Sequence, residues 1–387
     1  MIAQPTPMLL EPFTIYISDE VLADLAARLR STRWPGPAPG PAWAQGTDLG
    51  VLKRLVGYWA SGFDWRAQER RLNTFNHFRA ELQGIRVHFV HERAREGNGI
   101  PLILTHGWPS SFLELLPLVP LLTNPKAHGI NAPAFDLVIP SLPGYGFSER
   151  PAQASYGTVA RLWHELMQGL GYERYGAVGG DFGAGVTTYM AIEDPAPMMG
   201  IYLTTMELWP PTGEGARALT EAESRYVAAV RRWDEVERGY SAIQSTRPQT
   251  LGYALNDSPA GLAAWILEKW RAWSDSGGDL EARCSPDDLL TLLTLYWVTG
   301  TITTSMRDYF DNRWHGTEIQ AGTRVQVPTG FANFDKNYVF EGSPPREWVE
   351  RLYDVRRWTA MPRGGHFGAA EEPELLARDL AAFFRAL

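Results

Sequence analysis

One acidic side chain lies within a glycine-rich stretch, GAVGGDFGAG at residues 176–185. An apolar run typical of a β-strand leads into Asp181, and the run VTTYMAIE that follows has the pattern of a helix. A tight strand-to-helix turn with small neighbours is the form of a nucleophile elbow, which in its G-x-S-x-G version carries a serine. Asp181 takes the place of that serine, and the chain contains no G-x-S-x-G sequence.

A carboxylate at such a turn supports a different reaction from a serine. It can attack an electrophilic sp3 carbon and form a covalent alkyl ester, which divides one difficult step into two easier ones. A histidine must then activate water to hydrolyse the ester. An aspartate in front of a helix is also a common N-cap, so the turn alone leaves a catalytic and a structural interpretation open.

His366 is the histidine that chain order favours as the base. It lies in RGGHFGAAEEPELL, on a glycine-rich loop between the predicted last strand and the last helix. The order with the nucleophile first and the histidine last is typical of sheet enzymes with this elbow. His106, in HGWP, is predicted to shape its own loop. Four other histidines lie in strand or helix patterns and are predicted to be structural: His88, His91, His164 and His315.

From residue 85 the chain alternates between strand-like and helix-like segments. The strand-like segments are IRVHFVHE, PLILT, FDLVIP, YGAVGG and GIYLTT. This alternation predicts an α/β fold, with a mostly parallel sheet and helices on both faces. Catalytic residues of such sheets lie in loops at the carboxyl ends of the strands. The loops HGWP and PGYGFS and the Asp181 turn each occupy such an end.

Changes in this pattern divide the chain into four parts. Residues 1–80 form an N-terminal extension, in which a helix precedes a Pro/Gly-rich meander, WPGPAPGPAWAQG. The first part of the core spans residues 81–212, and helical patterns alone fill residues 213–320. We interpret the latter as a helical cap inserted after the sixth strand. Residues 321–387 return to the strand and helix pattern and complete the core.

The bulk composition excludes several classes of protein. The chain has 387 residues, 44% of them hydrophobic, so it can bury a large core, and its 15 tryptophans suggest an apolar pocket. A formal net charge of -8 argues against nucleic acid or an anionic membrane as a partner. The single cysteine, Cys284, excludes a disulfide framework within the chain. Without a signal-like N-terminus or an apolar run of about 18 residues, the protein is expected to be soluble and cytoplasmic.

The core loops and the predicted cap contain seven distinctive segments: HGWPSSFLEL, PSLPGYGFS, GGDFG, GYSAIQSTRPQTLGYALNDSPAGLAAWILEKW, LYWVTGTITTSMRDYF, VPTGFANF and RGGHFGAAEEPELLARDL. Through them the sequence resembles the epoxide hydrolases of the α/β-hydrolase fold, specifically the microsomal-type branch with an N-terminal extension. The resemblance covers most of the chain, from residue 12 to residue 385. It implies an enzyme that converts a small apolar epoxide and water to a vicinal diol, with no metal or organic cofactor.

The resemblance also implies roles for the residues singled out above. Asp181 would be the nucleophile, and His366 would be the base that activates water. The backbone amides of Trp108, in HGWP, and Phe182, directly after the nucleophile, would form the oxyanion hole for ester hydrolysis.

Two tyrosines of the predicted cap complete the implied chemistry. Tyr240, in ERGYSAIQ, and Tyr309, in SMRDYF, would hydrogen-bond the epoxide oxygen and donate a proton as the ring opens. An alkoxide is a poor leaving group, so the reaction needs a general acid. The structural alternative for each tyrosine is a core aromatic ring whose hydroxyl group bonds to the backbone.

The acid that orients the histidine is where the sequence departs from the family pattern. A carboxylate normally fixes the tautomer of the base and stabilises its charged form. In the resembled family this acid follows the seventh strand, but the matching position here is Asn337, in FDKNYVFEGSPPREW. We favour Glu341, a few residues further on. The alternative is Glu207, after the sixth strand, an arrangement similar to that of haloalkane dehalogenases.

Two other functions compete with this interpretation. A haloalkane dehalogenase shares the aspartate nucleophile but needs side-chain N–H donors for the departing halide, and Phe182 has none. A hydrolase fold kept only as a binding protein would not need Asp181, His366 and two cap tyrosines together. The sequence leaves open the natural substrate, a role in detoxification or in natural-product biosynthesis, and a homodimer formed through the meander.

Overall fold

The computed structural model describes residues 8–212, 215–320, 322–337 and 343–387. Within them, nine strands form one sheet. The strands are β1 (Leu10–Phe13), β2 (His77–Leu82), β3 (Ile85–Glu92), β4 (Ile100–Thr105), β5 (Phe135–Pro140), β6 (Tyr175–Gly179), β7 (Met198–Leu203), β8 (Val325–Lys336) and β9 (Tyr353–Gly365). They lie in the order β1-β2-β3-β5-β4-β6-β7-β8-β9.

The described residues also form fifteen α-helices. These are α1 (Asp19–Arg30), α2 (Leu49–Ser61), α3 (Trp65–Leu72), α4 (Leu118–Thr123), α5 (Tyr156–Gly169), α6 (Phe182–Glu193), α7 (Glu221–Glu237), α8 (Gly239–Gln244), α9 (Pro248–Leu255), α10 (Pro259–Trp273), α11 (Pro286–Thr299), α12 (Ile302–His315), α13 (Arg346–Val349), α14 (Gly368–Glu371) and α15 (Pro373–Arg385). Helices α7 to α12 follow one another between β7 and β8, with no strand between them in the described residues.

The sheet is mostly parallel, as the sequence predicts. Strands β5, β4, β6, β7, β8 and β9 pair in parallel, and the antiparallel pairs are confined to β1, β2, β3 and the contact of β3 with β5. If the short β1 of the N-terminal segment is left out of the count, β7 is the sixth strand of the core, and the helical insertion follows it. Both results confirm the predicted α/β-hydrolase fold.

Strand β2, in the segment HFRAEL, lies before the alternation that begins at residue 85 and was not among the predicted strands. It pairs with β3 along its whole length. The two strands meet at Gln83 and Gly84, whose φ angles are 46° and 81°. Two consecutive positive φ angles are the signature of a two-residue type I′ hairpin turn, and Gln is an uncommon residue at its first position.

Alternate residues of the central strands build two layers of core. In β4, Leu102 and Leu104 pack on the face that carries α4 and α15, and Ile103 packs on the face that carries α5 and α6. All three side chains are buried. A strand with apolar residues on both faces is typical of a parallel sheet that is covered on both sides, and this places the carboxyl ends of the strands at one edge, under the insertion.

The N-terminal segment packs against the helical insertion of its own chain. Residues 32–48, which include the predicted meander, contain neither helix nor strand. At their end, the Thr47 hydroxyl donates to the carbonyl oxygen of Ala264 at 2.6 Å. The indole N–H of Trp59, on α2, donates to Thr294 Oγ1 of α11 at 2.9 Å. Within the meander, the Trp43 ring lies with its centroid 4.6 Å from the Arg271 guanidinium of α10, so the meander also packs against the insertion.

In the described part of the chain, no single helix is both long and apolar enough to cross a membrane. Helices α11 and α12 pass by length and composition only when taken together, and they meet at an angle of 86°. The segment PPREWVERLY forms only the short α13, because the chain turns at Glu350 and enters β9 at Tyr353.

Candidate active site

The turn between β6 and α6 holds Asp181 in a strained backbone conformation. Its φ of 52° and ψ of -131° lie in a region that non-glycine residues seldom occupy. Two observations show why the neighbours are small: a Cβ atom on Gly179 would collide with the carbonyl oxygen of Gly183, and one on Gly183 would collide with that of Thr105. The amide of Asp181 donates to Thr205 Oγ1 at 2.6 Å, which anchors the turn to the end of β7.

Two backbone amides hold one oxygen of the Asp181 carboxylate. The amide of Trp108 donates to Oδ1 at 2.9 Å, and the amide of Phe182 donates to the same atom at 2.7 Å. A capping carboxylate bonds to the second or third amide of its helix, whereas this one bonds to the first residue and to a separate loop. The geometry is that of an anchored carboxylate rather than of a simple N-cap.

The other oxygen of Asp181 faces His366. The distance from His366 Nε2 to Asp181 Oδ2 is 3.4 Å, and the two side chains are 3% and 15% exposed. The amide of His366 donates to the carbonyl oxygen of Trp273 at 2.8 Å, and the imidazole lies edge-on to the Trp273 ring, with centroids 5.1 Å apart. The fold therefore brings together Asp181 and His366, the two residues that chain order favoured and that lie far apart in the sequence.

Glu371 organises the histidine loop and was not singled out in the sequence. Its carboxylate accepts hydrogen bonds from the amides of Gly365 and Phe367, both at 3.0 Å, on either side of the histidine. It also accepts one from the amide of Asp275 at 2.7 Å, which ties the loop to the cap. Burial raises the pKa of Glu371 to about 6. In the sequence, the one indication of Glu371 is its closeness to His366, five residues away.

The second nitrogen of the imidazole faces the loop after β8. His366 Nδ1 lies 2.9 Å from Asn337 Oδ1, so the position that the sequence aligned with the missing acid is in contact with the base. The favoured acid, Glu341, lies outside the described residues.

Glu207, the alternative acid, lies near the start of the loop between β7 and α7. Its Oε1 accepts a hydrogen bond from the Tyr156 hydroxyl at 3.0 Å. Burial, together with the nearby charge of Asp181, raises the pKa of Glu207 to about 8. A carboxyl with this pKa is largely protonated at neutral pH, so Glu207 brings little negative charge to the site.

The two predicted cap tyrosines converge near Asp181. Tyr240 stacks on the Trp108 indole with centroids 5.4 Å apart, and Tyr309 meets the same indole edge-on at 5.8 Å. The centroids of the two phenol rings are 5.8 Å apart. Burial raises the pKa of both hydroxyls well above the ordinary value, so both carry a proton at neutral pH.

Lys269, on α10, places a cation beside one of these phenols. Its ammonium lies 4.8 Å from the centroid of the Tyr240 ring and 5.9 Å from that of Trp273. The side chain is 6% exposed and pairs with Glu268 and Glu237 at 2.7 and 3.4 Å. A cation over an aromatic ring fixes the orientation of the ring. The sequence did not single out this lysine, although it lies in the distinctive segment ending ILEKW, because the Tyr240 ring that it faces lies on another helix.

A cavity of about 640 Å3, here called the front cavity, opens over the carboxylate. The described residues that line it include two carboxyl groups and several aromatic rings: Asp181, Glu207, Tyr240, Tyr309, Trp273 and Trp348. Charged side chains from the C-terminal part of α7 and just after it, Arg231, Asp234 and Arg238, also line it. Aromatic rings beside converging polar groups are typical of a small-molecule site. Among the described residues, no group of three or more His, Cys, Asp or Glu side chains is arranged to hold a metal ion.

The family models that match the chain agree with this geometry. A model described as "Epoxide hydrolase N terminus" matches residues 10–115, and one described as "alpha/beta hydrolase fold" matches residues 100–235. The chain is 36% identical to epoxide hydrolase 1 of Sus scrofa, over 97% of this chain and 88% of that protein.

Solved structures show the same likeness over nearly the whole chain. The juvenile hormone epoxide hydrolase of the silkworm Bombyx mori superposes with a TM-score of 0.83 at 31% identity, covering 98% of this chain and 95% of that one. The epoxide hydrolase of Aspergillus niger superposes with a TM-score of 0.83 at 30% identity, covering 97% and 96%. Fold and elbow define an α/β-hydrolase. Within that class the chain belongs to the epoxide hydrolases, and it is an enzyme of the hydrolase class.

Proposed function

We propose that this enzyme opens a small apolar epoxide through a covalent ester on Asp181, which water activated by His366 then hydrolyses to release a vicinal diol. One observation carries the proposal: Oδ1 of Asp181 is fixed by two amides and Oδ2 faces the imidazole, while Asp181 lines the front cavity. A nucleophile needs one free oxygen, and ester hydrolysis needs a prepared site for the other.

The first step forms the ester. Oδ2 of Asp181 attacks a ring carbon of the epoxide, the carbon–oxygen bond breaks, and its electron pair stays on the epoxide oxygen. That oxygen takes a proton from Tyr240 or Tyr309, whose raised pKa keeps them protonated until the ring opens. The aromatic wall of the front cavity favours an apolar substituent on the epoxide.

The second step returns the carboxylate. His366 Nε2 removes a proton from water, and the water oxygen adds to the ester carbonyl carbon. The negative charge develops on Oδ1, where the amides of Trp108 and Phe182 stabilise it. The bond from the carbonyl carbon to Oδ2 breaks, and the imidazolium protonates the departing diol. The second water proton leaves the new carboxyl and restores the tyrosine.

A carboxylate beside His366 Nδ1 would stabilise the imidazolium in this step. We assign that role to Glu341, which follows Asn337 by four residues, with Glu207 as the alternative. Separate Glu341→Gln and Glu207→Gln variants distinguish them under single-turnover conditions. Loss of the true acid slows ester hydrolysis far more than ester formation, and if neither variant does so both assignments are wrong.

Intact-protein mass spectrometry with styrene oxide tests the ester directly. His366→Gln should accumulate an adduct equal in mass to the substrate, and Asp181→Asn should form none. One turnover in H2(18)O should leave heavy oxygen in the side chain of Asp181, because the water oxygen replaces Oδ2. Absence of label in Asp181 would overturn the proposal. Halide release from a chloroalkane, without diol formation from styrene oxide, would instead indicate a dehalogenase.

A further inference from the structure

The front cavity has two chemically different ends. At the inner end, aromatic rings line the cavity beside Asp181, whose side chain is 15% exposed. The outer end, here called the mouth, consists of Arg231, Asp234 and Arg238, which also line the cavity. Both arginines are exposed, and Asp234 is half-buried. The two ends therefore favour different parts of a ligand.

The mouth lies along one face of α7 and the residue that follows this helix. Positions 231, 234 and 238 are spaced by three and four residues, so their side chains share that face. Tyr226 and Trp233, which also line the cavity, are buried. The helix thus turns aromatic rings toward the core and charged groups toward solvent. Seven residues of α-helix rise about 10 Å, which is the span between the two arginines.

The mouth carries an excess of one positive charge, from two arginines and one aspartate. Asp234 pairs with Arg238 at 3.2 Å, and these side chains are 35% and 58% exposed. Arg231 makes no ion pair and no hydrogen bond with the residues that the structure describes. Burial raises the pKa of Glu207, which also lines the cavity, to about 8, so this carboxyl group does not cancel the excess. The whole chain has a net charge of -8, so the positive excess is a local feature.

A carboxylate is the group that best matches this mouth. The planar guanidinium donates two parallel hydrogen bonds to a carboxylate, which carries one negative charge. A phosphate monoester carries about 1.5 to 2 negative charges at neutral pH, more than the single positive excess balances. The aromatic rings at the inner end favour an apolar segment between the carboxylate and the epoxide.

We propose that the enzyme acts on amphiphilic epoxides, in which an apolar segment joins the epoxide at Asp181 to a carboxylate that binds Arg231 and Arg238 at the mouth. The inference rests on the proposed function, because it names the substrate class of the same site. The carboxylate only binds: it exchanges no proton and forms no covalent bond. Arg231 and Arg238 are therefore specificity-determining residues and take no part in the ring opening.

The position of the mouth decides which kinetic constant should change. A contact far from the reacting carbon is made equally in the bound substrate and in the transition state, so it lowers KM and leaves kcat nearly the same. Because the arginines are exposed, salt should also weaken their effect. Both properties distinguish binding at the mouth from a general disturbance of Asp181.

The test compares two substrates that differ in charge alone. One is epoxyundecanoate, with the epoxide at the end remote from the carboxylate, and the other is the matching primary amide. The measured quantity is the ratio of kcat/KM for the carboxylate to kcat/KM for the amide. Arg231→Met should lower this ratio about threefold to fivefold, as expected for an exposed ion pair. The double variant Arg231→Met/Arg238→Met should lower it about tenfold, chiefly through the KM of the carboxylate.

Arg225→Met is the matched control, because Arg225 also lies on α7, is 67% exposed and does not line the front cavity. Its ratio should equal that of the wild type. Arg231→Glu should lower the ratio further than Arg231→Met, and added salt should lower the ratio of the wild type. An unchanged ratio in the double variant, or an equal decrease in Arg225→Met, would overturn the inference while diol formation from styrene oxide still supported the proposed function. If the wild type forms no diol from styrene oxide, the proposed function is wrong and this inference fails with it.

Discussion

Arg150 offers a sharp test of how the cap is attached to the core. Its guanidinium donates to Asp308 Oδ1 at 2.7 Å, to Asp311 Oδ2 at 2.8 Å and to the carbonyl oxygen of Pro143 at 3.2 Å. The arginine side chain is 5% exposed and each carboxylate is 7% exposed. Both carboxylates belong to α12, which also carries Tyr309, so one buried cation joins that helix to the loop after β5.

The variant Arg150→Met leaves the two buried carboxylates without their cation. Removing one partner of a buried ion pair costs about 3–5 kcal/mol. Two features favour a loss of stability at the lower end of this range. The amide of Ala154 still donates to Asp311 at 2.8 Å, and the pKa of Asp308 is already raised to about 6, chiefly by burial. We therefore expect a loss of about 3 kcal/mol at pH 8.

That loss converts to a measurable shift in melting temperature. Unfolding entropy is about 2.1 cal/mol/K per residue, which gives about 0.8 kcal/mol/K for a chain of this length and a decrease in Tm of about 4 °C. The matched control is Arg86→Met, because Arg86 pairs with Glu149 at a surface where the two side chains are 59% and 44% exposed. Exposed pairs contribute about 0–1 kcal/mol, so the control should lose about 1 °C or less.

The sign of the pH dependence is a second test. A carboxyl whose folded pKa exceeds its unfolded pKa stabilises the folded state below the unfolded value, and this contribution is lost as pH rises through the folded value. Without Arg150 the pKa of Asp308 should rise above about 6, so the deficit of the variant should grow between pH 5 and pH 8. Scanning calorimetry at both pH values measures it. A Tm loss no greater than that of Arg86→Met, or a larger deficit at pH 5, would refute the buried-charge argument.

Three further predictions concern residues around Asp181. Tyr240→Phe and Tyr309→Phe should each slow adduct formation, and the double variant should approach the loss of about 10²–10⁴ expected for a missing general acid, as measured by rapid quench. Lys269→Met should slow adduct formation several-fold and leave adduct decay unchanged. The variant lacks the ammonium group that orients the Tyr240 ring and stabilises the Tyr240 anion. Thr205→Val removes the acceptor of the Asp181 amide and should cost about 1–3 kcal/mol of stability, by calorimetry, with Thr205→Ser close to wild type.

The parts of the fold that sequence predicts well are those in which local pattern and tertiary structure agree. Strand β4 is apolar at the buried positions 102–104, and the turn at Asp181 needs small neighbours for steric reasons that are visible in the sequence itself. Strand β2 escaped prediction because its hairpin is closed by Gln83 and Gly84, and glutamine gives no turn signal.

The site was only partly accessible to the same reasoning. The positions of Asp181 and His366 follow from chain order, because a parallel sheet brings the ends of its strands to one edge. Lys269 could not be singled out in this way. It lies in the segment ending ILEKW, which carries part of the family resemblance, but the letters alone do not distinguish it from an ordinary helix residue. Its position beside the Tyr240 ring is visible only in the structure.

The two amides at Oδ1 affect the two steps of the proposed reaction in opposite ways. In the first step the carboxylate loses negative charge as it attacks, so donors from Trp108 and Phe182 stabilise the ground state more than the transition state. In the second step negative charge returns to Oδ1, and the same donors lower the barrier. The hole therefore favours hydrolysis at some cost to alkylation, and acid catalysis by the cap tyrosines must offset that cost. Substitutions in the cap should therefore change the rate of adduct formation, and substitutions behind Asp181 should change the rate of adduct decay.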